Sequence, residues 1–202
     1  MGKKILGIVG SYRKGGIIDT TVSEVLNAAE QRGDKVEKIH LLDKRIEFCT
    51  NCRRCTQTEG PDPGVCIHDD DMAGLIAAIE EADALVLGAP VNVGGVNALT
   101  QRFLERLVCC SWWPWGEPAP KLRKEGKPTK KAVLITSCAM PAVMGRFCSG
   151  SMKSLKKGAR VVGARPVATL YVGLAAGSER QLLSSRMAAK ARRAGRKLSI
   201  SS

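Results

Sequence analysis

The strongest constraint on how this chain can fold is an alternation. Short apolar runs rich in β-branched residues recur along it. Most lead through small or turn-forming residues into a stretch with helical periodicity. Lys4–Val9, Lys35–Leu41, Ala84–Gly88, Lys131–Thr136 and Val161–Val172 read as strands. Asp19–Arg32 reads as a helix, with apolar residues at Val22, Val25, Leu26 and Ala29 and a C-terminal glycine cap at Gly33. Asp69–Asp71 places carboxylates at the start of a second helix that runs to about Glu81. Further helices are predicted over Ala98–Val108, Ser151–Arg160 and Glu179–Lys197. Five strands alternating with helices imply an α/β fold: an open, doubly wound, five-stranded parallel sheet with helices on both faces. A chain of 202 residues suffices for one such core, so a single domain over 1–202 is expected. A Cys-rich loop at 44–68 and a Trp- and Lys-rich insertion at 109–130 interrupt the alternation.

In such sheets ligands bind beyond the carboxyl ends of the strands, where the strand order reverses. Three segments should converge there: Gly10–Gly16, Pro90–Asn97 and Ser137–Phe147. All are rich in small or turn-forming residues, which suits a flat ligand lying close to the backbone. The first, Gly10-Ser11-Tyr12-Arg13-Lys14-Gly15-Gly16, can turn backbone N–H groups toward an anion, and the next helix adds its partial positive charge. Neither G-x-G-x-x-G nor a G-K-S/T P-loop is present.

Charge divides unevenly. Residues 1–109 carry 13 Lys and Arg against 16 Asp and Glu, and residues 110–202 carry 19 against 3. The basic second half points to an acidic partner: a phosphorylated cofactor, an acidic redox protein or nucleic acid. No apolar run reaches the ~20 residues that span a bilayer, and the start of the chain does not read as a secretory signal. A cytoplasmic location with no membrane partner is expected.

The motifs in this order resemble a known family. GSYRKGGIIDTTV after a strand resembles the GSxRKxGNT phosphate loop of flavodoxin-like NAD(P)H-dependent FMN reductases. APVNVGGVNALTQRFLERL resembles that family's segment against the flavin ring. CTNCRRC, a fourth cysteine and Asp69-Asp70-Asp71-Met72 resemble its iron-sulfur flavoprotein branch. The resemblance covers residues 3 to 172. It implies an FMN-dependent oxidoreductase, fed by NAD(P)H or a ferredoxin-type donor and assembled as a homodimer or homotetramer.

On this resemblance, Ser11, Arg13, Gly15, Gly16, Ile17, Ile18 and Thr20 surround the phosphate. Pro90, Val91, Asn92, Val93, Gly94, Ser137 and Cys138 lie at the ring, with backbone N–H groups near its polar edge. Val65–Asp71 and Trp112, Trp113 and Trp115 would wall the ring, although a loop folded back on the core accounts for the tryptophans equally well. The family's Asn-Thr after the glycines is Ile17-Ile18 here, and its Tyr, Lys and Asp are Asn92, Gln101 and Glu105. Flavin chemistry resides in the cofactor, so no catalytic side chain is assigned.

Cys49, Cys52, Cys55 and Cys66 form C-x2-C-x2-C followed by a cysteine ten residues on. The spacing suits a 4Fe-4S cluster. All-thiolate zinc and metal-free redox thiols remain open alternatives. Arg53 and Arg54 would offset the cluster's negative charge. The loop leaves the sheet edge used by the flavin segments, so cluster and flavin should be neighbours.

Cys109-Cys110 reads as ordinary packing or a vicinal disulfide, and Cys138 and Cys148 flank the third segment. His40 and His68 build no Ser-His-Asp arrangement, and His68 reads as a loop residue. The Lys121–Lys131 run suits the phosphates of NAD(P)H or an acidic partner. The basic terminal helix reads as a solvated face. A nucleic-acid partner is not expected, because no stacking aromatics are interleaved there. The alternative function is a flavin-free binding or regulatory module whose basic half contacts an acidic macromolecule.

Overall fold

The computed structural model describes residues 2–124, 126, 128–179 and 181–200. In chain order its elements are β1 (Lys4–Val9), α1 (Ile17–Glu30), β2 (Lys35–His40), α2 (Met72–Glu81), β3 (Ala84–Asn92), β4 (Gly95–Val96), α3 (Ala98–Arg106), β5 (Ser111–Trp112), β6 (Lys121–Leu122), β7 (Lys130–Ser137), α4 (Ala142–Cys148), α5 (Ser151–Val161), β8 (Ala164–Val172) and α6 (Ser185–Ser199). The central sheet runs β2-β1-β3-β7-β8 with every pair parallel, and two-residue β4 pairs antiparallel with the end of β3. Strand order reverses between β1 and β3, which creates the expected crevice.

The pleat sorts β1 onto two cores. Ile5 and Val9 join Val22, Val25, Val86, Val133 and Leu198 under α1 and α6. Leu6 and Ile8 join Leu75, Phe103, Leu134 and Leu155 under α2, α3 and α5. The basic helix α6 buries Ala191, Ala194, Gly195 and Leu198. A Cβ at Gly195 would stand 2.1 Å from the Val25 carbonyl, so glycine permits this crossing of α6 on α1. Arg192 closes the contact through Glu24 at 2.7 Å. The helix is therefore a structural layer with an outward cationic face. Among the described residues no helix is long and apolar enough to cross a membrane.

Several boundaries differ from those read in the sequence. Helix α1 begins at Ile17, not Asp19, because Gly16 takes the extended N-cap conformation. Asp19 instead reaches back to the Gly15 N–H at 2.7 Å. Asp71 holds the N-cap position of α2 without a side-chain cap bond. The Asp70 carboxylate accepts from Met72 N, and Asp71 accepts from Arg45 N. Strand β3 continues through Pro90 into a hairpin whose turn residues, Val93 and Gly94, have φ of 46° and 77°. A β-branched residue at positive φ is strained. Part of the third predicted loop is helix α4. The terminal helix starts at Ser185 rather than Glu179, capped by Ser184; the predicted stretch also crosses residue 180, outside the described residues. The insertion at 109–130 opens with a 3-10 turn and contains the β5–β6 hairpin.

Candidate functional site

A cleft of about 1140 Å³ opens over the carboxyl ends of β1, β3 and β7. Ser11 to Ile18, Pro90, Val91, Asn92, Ser137 and Cys138 line it. The structure therefore brings together most of the residues expected from the sequence. Thr20, Val93 and Gly94 are not among the lining. The Thr20 hydroxyl donates back to the Gly16 carbonyl at 2.9 Å, along the helix. The Gly94 carbonyl accepts from Gly150 N at 2.7 Å, which draws the hairpin tip toward α5.

The first loop is pinned from below. Gly10 N donates to Gly88 O at 2.7 Å, and its carbonyl accepts from Asn97 Nδ2 at 2.8 Å and Thr100 Oγ1 at 3.0 Å. A Cβ at Gly10 would fall 2.1 Å from Thr100 Oγ1, so glycine is required by proximity. The Ser11 hydroxyl is occupied within the turn, accepting from Arg13 N at 3.1 Å. The Tyr12 hydroxyl accepts from Leu99 N at 3.2 Å.

Behind the loop, buried Asp19 binds Gly15 N, Lys38 Nζ at 2.8 Å and lies 3.1 Å from His40 Nε2. Burial opposes its ionisation, but Lys38, the Gly15 N–H and His40 outweigh that and hold its carboxyl below the usual range. The Gly15 N–H thus serves Asp19, which corrects its expected role as a phosphate donor. No side chain caps α1, and the first N–H groups of a helix have no intrahelical partner. Ile17 and Ile18 therefore offer the donors, and their side chains pack inward, Ile18 beside Val22. Cys138 N donates to Val172 O at 3.0 Å, so that N–H too is engaged. Its thiol donates to Met140 O at 3.2 Å, and burial pushes its pKa up. Cys148 is exposed and is absent from the lining.

The sequence reading missed one wall. Ala139, Ala175, Ala176, Ser178, Glu179, Gln181 and Leu182 complete the cleft. Gln181 shapes this segment by accepting from Gly177 N and donating to Leu174 O. The small-residue run after β8 was the available signal. The expected wall lies elsewhere: neither Val65–Asp71 nor any tryptophan lines the cleft. The tryptophans fold back on the Cys-rich loop. Arg53 sits 3.9 Å from the Trp113 ring centre and 4.2 Å from that of Trp115, and donates to the carbonyls of Trp113 and Pro114.

Cys49, Cys52, Cys55 and Cys66 line a second, small cavity with His68, Arg53 and Arg106. It shares no lining residue with the cleft. Asn51 and Arg53 take positive φ of 53° and 57°, which curls the C-x2-C-x2-C turn on itself. The Arg54 backbone N–H and the Thr50 hydroxyl hold the Cys52 thiol below its ordinary pKa. Burial, with Cys109, Cys66, Cys49 and Cys52 nearby, pushes Cys55 up to about 11. His68 Nε2 is buried without a partner, and His68 lines the same cavity as the four sulfurs.

Among the described residues no three His, Cys, Asp or Glu side chains converge on a single-ion site. The donor set, four thiolates around one cavity, suits a 4Fe-4S cluster as it does all-thiolate zinc. Arg106, not Arg53, is the cation that reaches a thiol, at 3.4 Å from Cys66 Sγ. Cys109 and Cys110 are free thiols 4.0 Å apart, buried in the core.

The Lys121–Lys131 run is partly consumed inside. Arg123 donates to the carbonyls of Cys109, Gly60 and Cys55, stitching insertion to loop. Lys124 pairs with Glu80, and Lys130 donates to the carbonyls of Glu80 and Ala82 at the end of α2. Lys127 lies outside the described residues.

Comparison with known proteins agrees with this geometry. A family profile described as NADPH-dependent FMN reductase matches residues 3–178. An iron-sulfur flavoprotein of Archaeoglobus fulgidus is 36% identical over 151 residues, 75% of this chain and 63% of that protein. An iron-sulfur flavoprotein of Methanocaldococcus jannaschii is 36% identical over 103 residues, 51% of each. The chain thus matches between half and two thirds of the length of these relatives. A solved NAD(P)H:quinone oxidoreductase from Methanothermobacter marburgensis superposes with a TM-score of 0.70 at 19% identity, over 98% of this chain and 100% of the other. A solved archaeal flavodoxin gives a TM-score of 0.58 at 10% identity, over 97% and 96%. With strand order, cleft and sequence profile in agreement, the chain belongs to the NADPH-dependent FMN reductase family.

Proposed function

We propose that the protein is an FMN-dependent oxidoreductase that accepts electrons from NAD(P)H or a ferredoxin-type donor and carries a 4Fe-4S cluster as its one-electron centre. The observation that carries this reading is the large cleft at the sheet's switch point, reached by the uncapped start of α1. There the Ile17 and Ile18 N–H groups and the positive end of the helix receive a phosphate, with Arg13 adding cationic charge. Pro90–Asn92 and Ser137–Ala139 flank the ring, and Ala175, Ala176, Gln181 and Leu182 form the facing wall.

Bound FMN supplies the hydride and electron transfer. The chain's part is to orient the ring, exclude solvent and hold the loop rigid through Asn97 and Thr100. No acid or base is required of the lining side chains. Cys49, Cys52, Cys55 and Cys66 would hold the cluster. A homodimer or homotetramer, as the family resemblance implies, is part of the proposal. A cytoplasmic location completes it. The flavin-free regulatory module is less well supported, since Arg123, Lys124, Lys130 and Arg192 are engaged internally.

Anaerobic purification followed by flavin, iron and sulfide assays tests this. The expected protein absorbs near ~450 nm from flavin and broadly near ~400 nm from the cluster. A colourless protein with no thermal shift on saturation with FMN refutes the oxidoreductase reading.

A further inference from the structure

Two arginines line the thiol cavity. Arg53 belongs to the Cys-rich loop, and its guanidinium is turned to Trp113 and Trp115. Arg106 arrives from the end of α3. Its side chain is 2% exposed and that of its partner Asp70 is 0% exposed. Nη1 donates to Asp70 Oδ2 at 2.5 Å and to Glu47 O at 2.8 Å. Nη2 donates to Asp70 Oδ1 at 3.1 Å and to Cys66 Sγ at 3.4 Å. The Asp70 carboxylate also accepts from the backbone N–H groups of Glu47 and Met72.

A bidentate pair bonded on so many sides has one orientation. It ties the segment entering Cys49, the start of α2 and the end of α3 to the fourth thiol. The first three cysteines are set by a tight local turn. Cys66 follows ten residues of Pro- and Gly-containing loop. Gly64 N, donating to Cys109 O at 2.9 Å, pins the backbone just upstream, and the 3.4 Å contact from Arg106 directs the thiol itself.

We propose that Arg106, held by Asp70, is a positioning residue of the thiol centre. It seats Cys66 against the other three cysteines and directs a cationic N–H at its sulfur, favouring the reduced, more negative state of a bound cluster. This rests on the 4Fe-4S reading above. The pair is neutral as a whole, so the effect comes from the near guanidinium and its N–H, acting where water does not screen them. Hydrogen bonds to cluster sulfurs raise the reduction potential, and residues behind metal ligands typically change affinity ~10–100-fold.

The test compares wild type, Arg106→Lys and the neutral double variant Asp70→Asn/Arg106→Gln, all purified anaerobically. Flavin content, iron and sulfide content, iron loss to a chelator and the cluster's midpoint potential are measured. The double variant leaves no unpaired buried charge. Expected are wild-type flavin content, about tenfold faster iron loss and a reduction equilibrium shifted about tenfold toward the oxidised cluster, which is about 59 mV for one electron. Iron retention and potential equal to wild type in both variants overturn the role of Arg106 while leaving the cluster in place. Loss of flavin together with iron also overturns it, because the pair then merely supports the fold. An iron-free wild type removes the cluster reading and this role together.

Discussion

Asn97 offers a quantitative test of how the cleft is held. Its side chain is 1% exposed and serves two structures. Oδ1 caps α3, accepting from Thr100 N at 3.0 Å, and competes with Gly10 O for the one Thr100 hydroxyl proton, Oγ1 lying 2.6 Å from Oδ1 and 3.0 Å from Gly10 O. Nδ2 donates to Gly10 O at 2.8 Å, at the root of the loop after β1. In Asn97→Ala the cap is lost, about 1 kcal/mol, and a buried hydrogen bond disappears, about 1–2 kcal/mol. Thr100 Oγ1 still reaches Gly10 O, so the carbonyl is not orphaned and the sum stays near 2–3 kcal/mol. For a chain of this size the thermal midpoint falls by roughly 5–10 °C.

Asn97→Ser separates the two functions, because serine keeps a capping oxygen but lacks a donor that reaches Gly10. Its expected stability loss is about 1 kcal/mol, with FMN affinity weakened as in the alanine variant. Urea unfolding of flavin-free protein and titration by flavin fluorescence give both numbers. An alanine variant within about 0.5 kcal/mol of wild type, where ordinary surface changes fall, refutes the reasoning. So does a serine variant that binds FMN like wild type.

Two further outcomes are expected. Burial opposes ionisation of Asp70, but Arg106 and the N–H groups of Glu47 and Met72 hold its pKa at about 2, against 3.8 ordinarily. A depressed carboxylate stabilises the fold above its unfolded pKa and loses that contribution as pH falls through the folded value. The stability advantage of wild type over Asp70→Asn should therefore shrink by roughly 2 kcal/mol between pH 5 and pH 2, and urea midpoints that keep a constant difference across that window would contradict it. The chain's three tryptophans all lie in the insertion, so their emission reports on that segment. Arg53→Ala removes the stack and two carbonyl contacts, which should shift emission to the red and cost about 1–2 kcal/mol; unchanged emission would show that Arg53 does not hold the insertion.

The phosphate loop and the ring segments were legible because each is a local string: a β-branched run followed by small residues. Pro90 to Asn92 and Ser137 line the cleft for that reason. The wall after β8 carries a similar small-residue run, but it follows the last strand, outside the three loops expected at the switch point. Arg106 escaped notice as a thiol partner because its contact with Cys66 spans 40 positions. Arg53, adjacent in sequence to Cys52, was assigned that task and instead lies between two indole rings. Asp69–Asp71 looked like a simple helix cap, yet Asp70 carries a buried ion pair.

Hydrophobic period and turn chemistry act over a few residues, so the layers, the parallel sheet and the rim of small-residue loops could be read from the amino-acid order. Tertiary structure decided which donors remain free. Asp19 takes the Gly15 N–H, Val172 takes that of Cys138, and Asp70 orients Arg106 toward Cys66. A hydrogen-bonding group can be counted from sequence, but its partner is chosen by folding, and that choice sets what each site can hold.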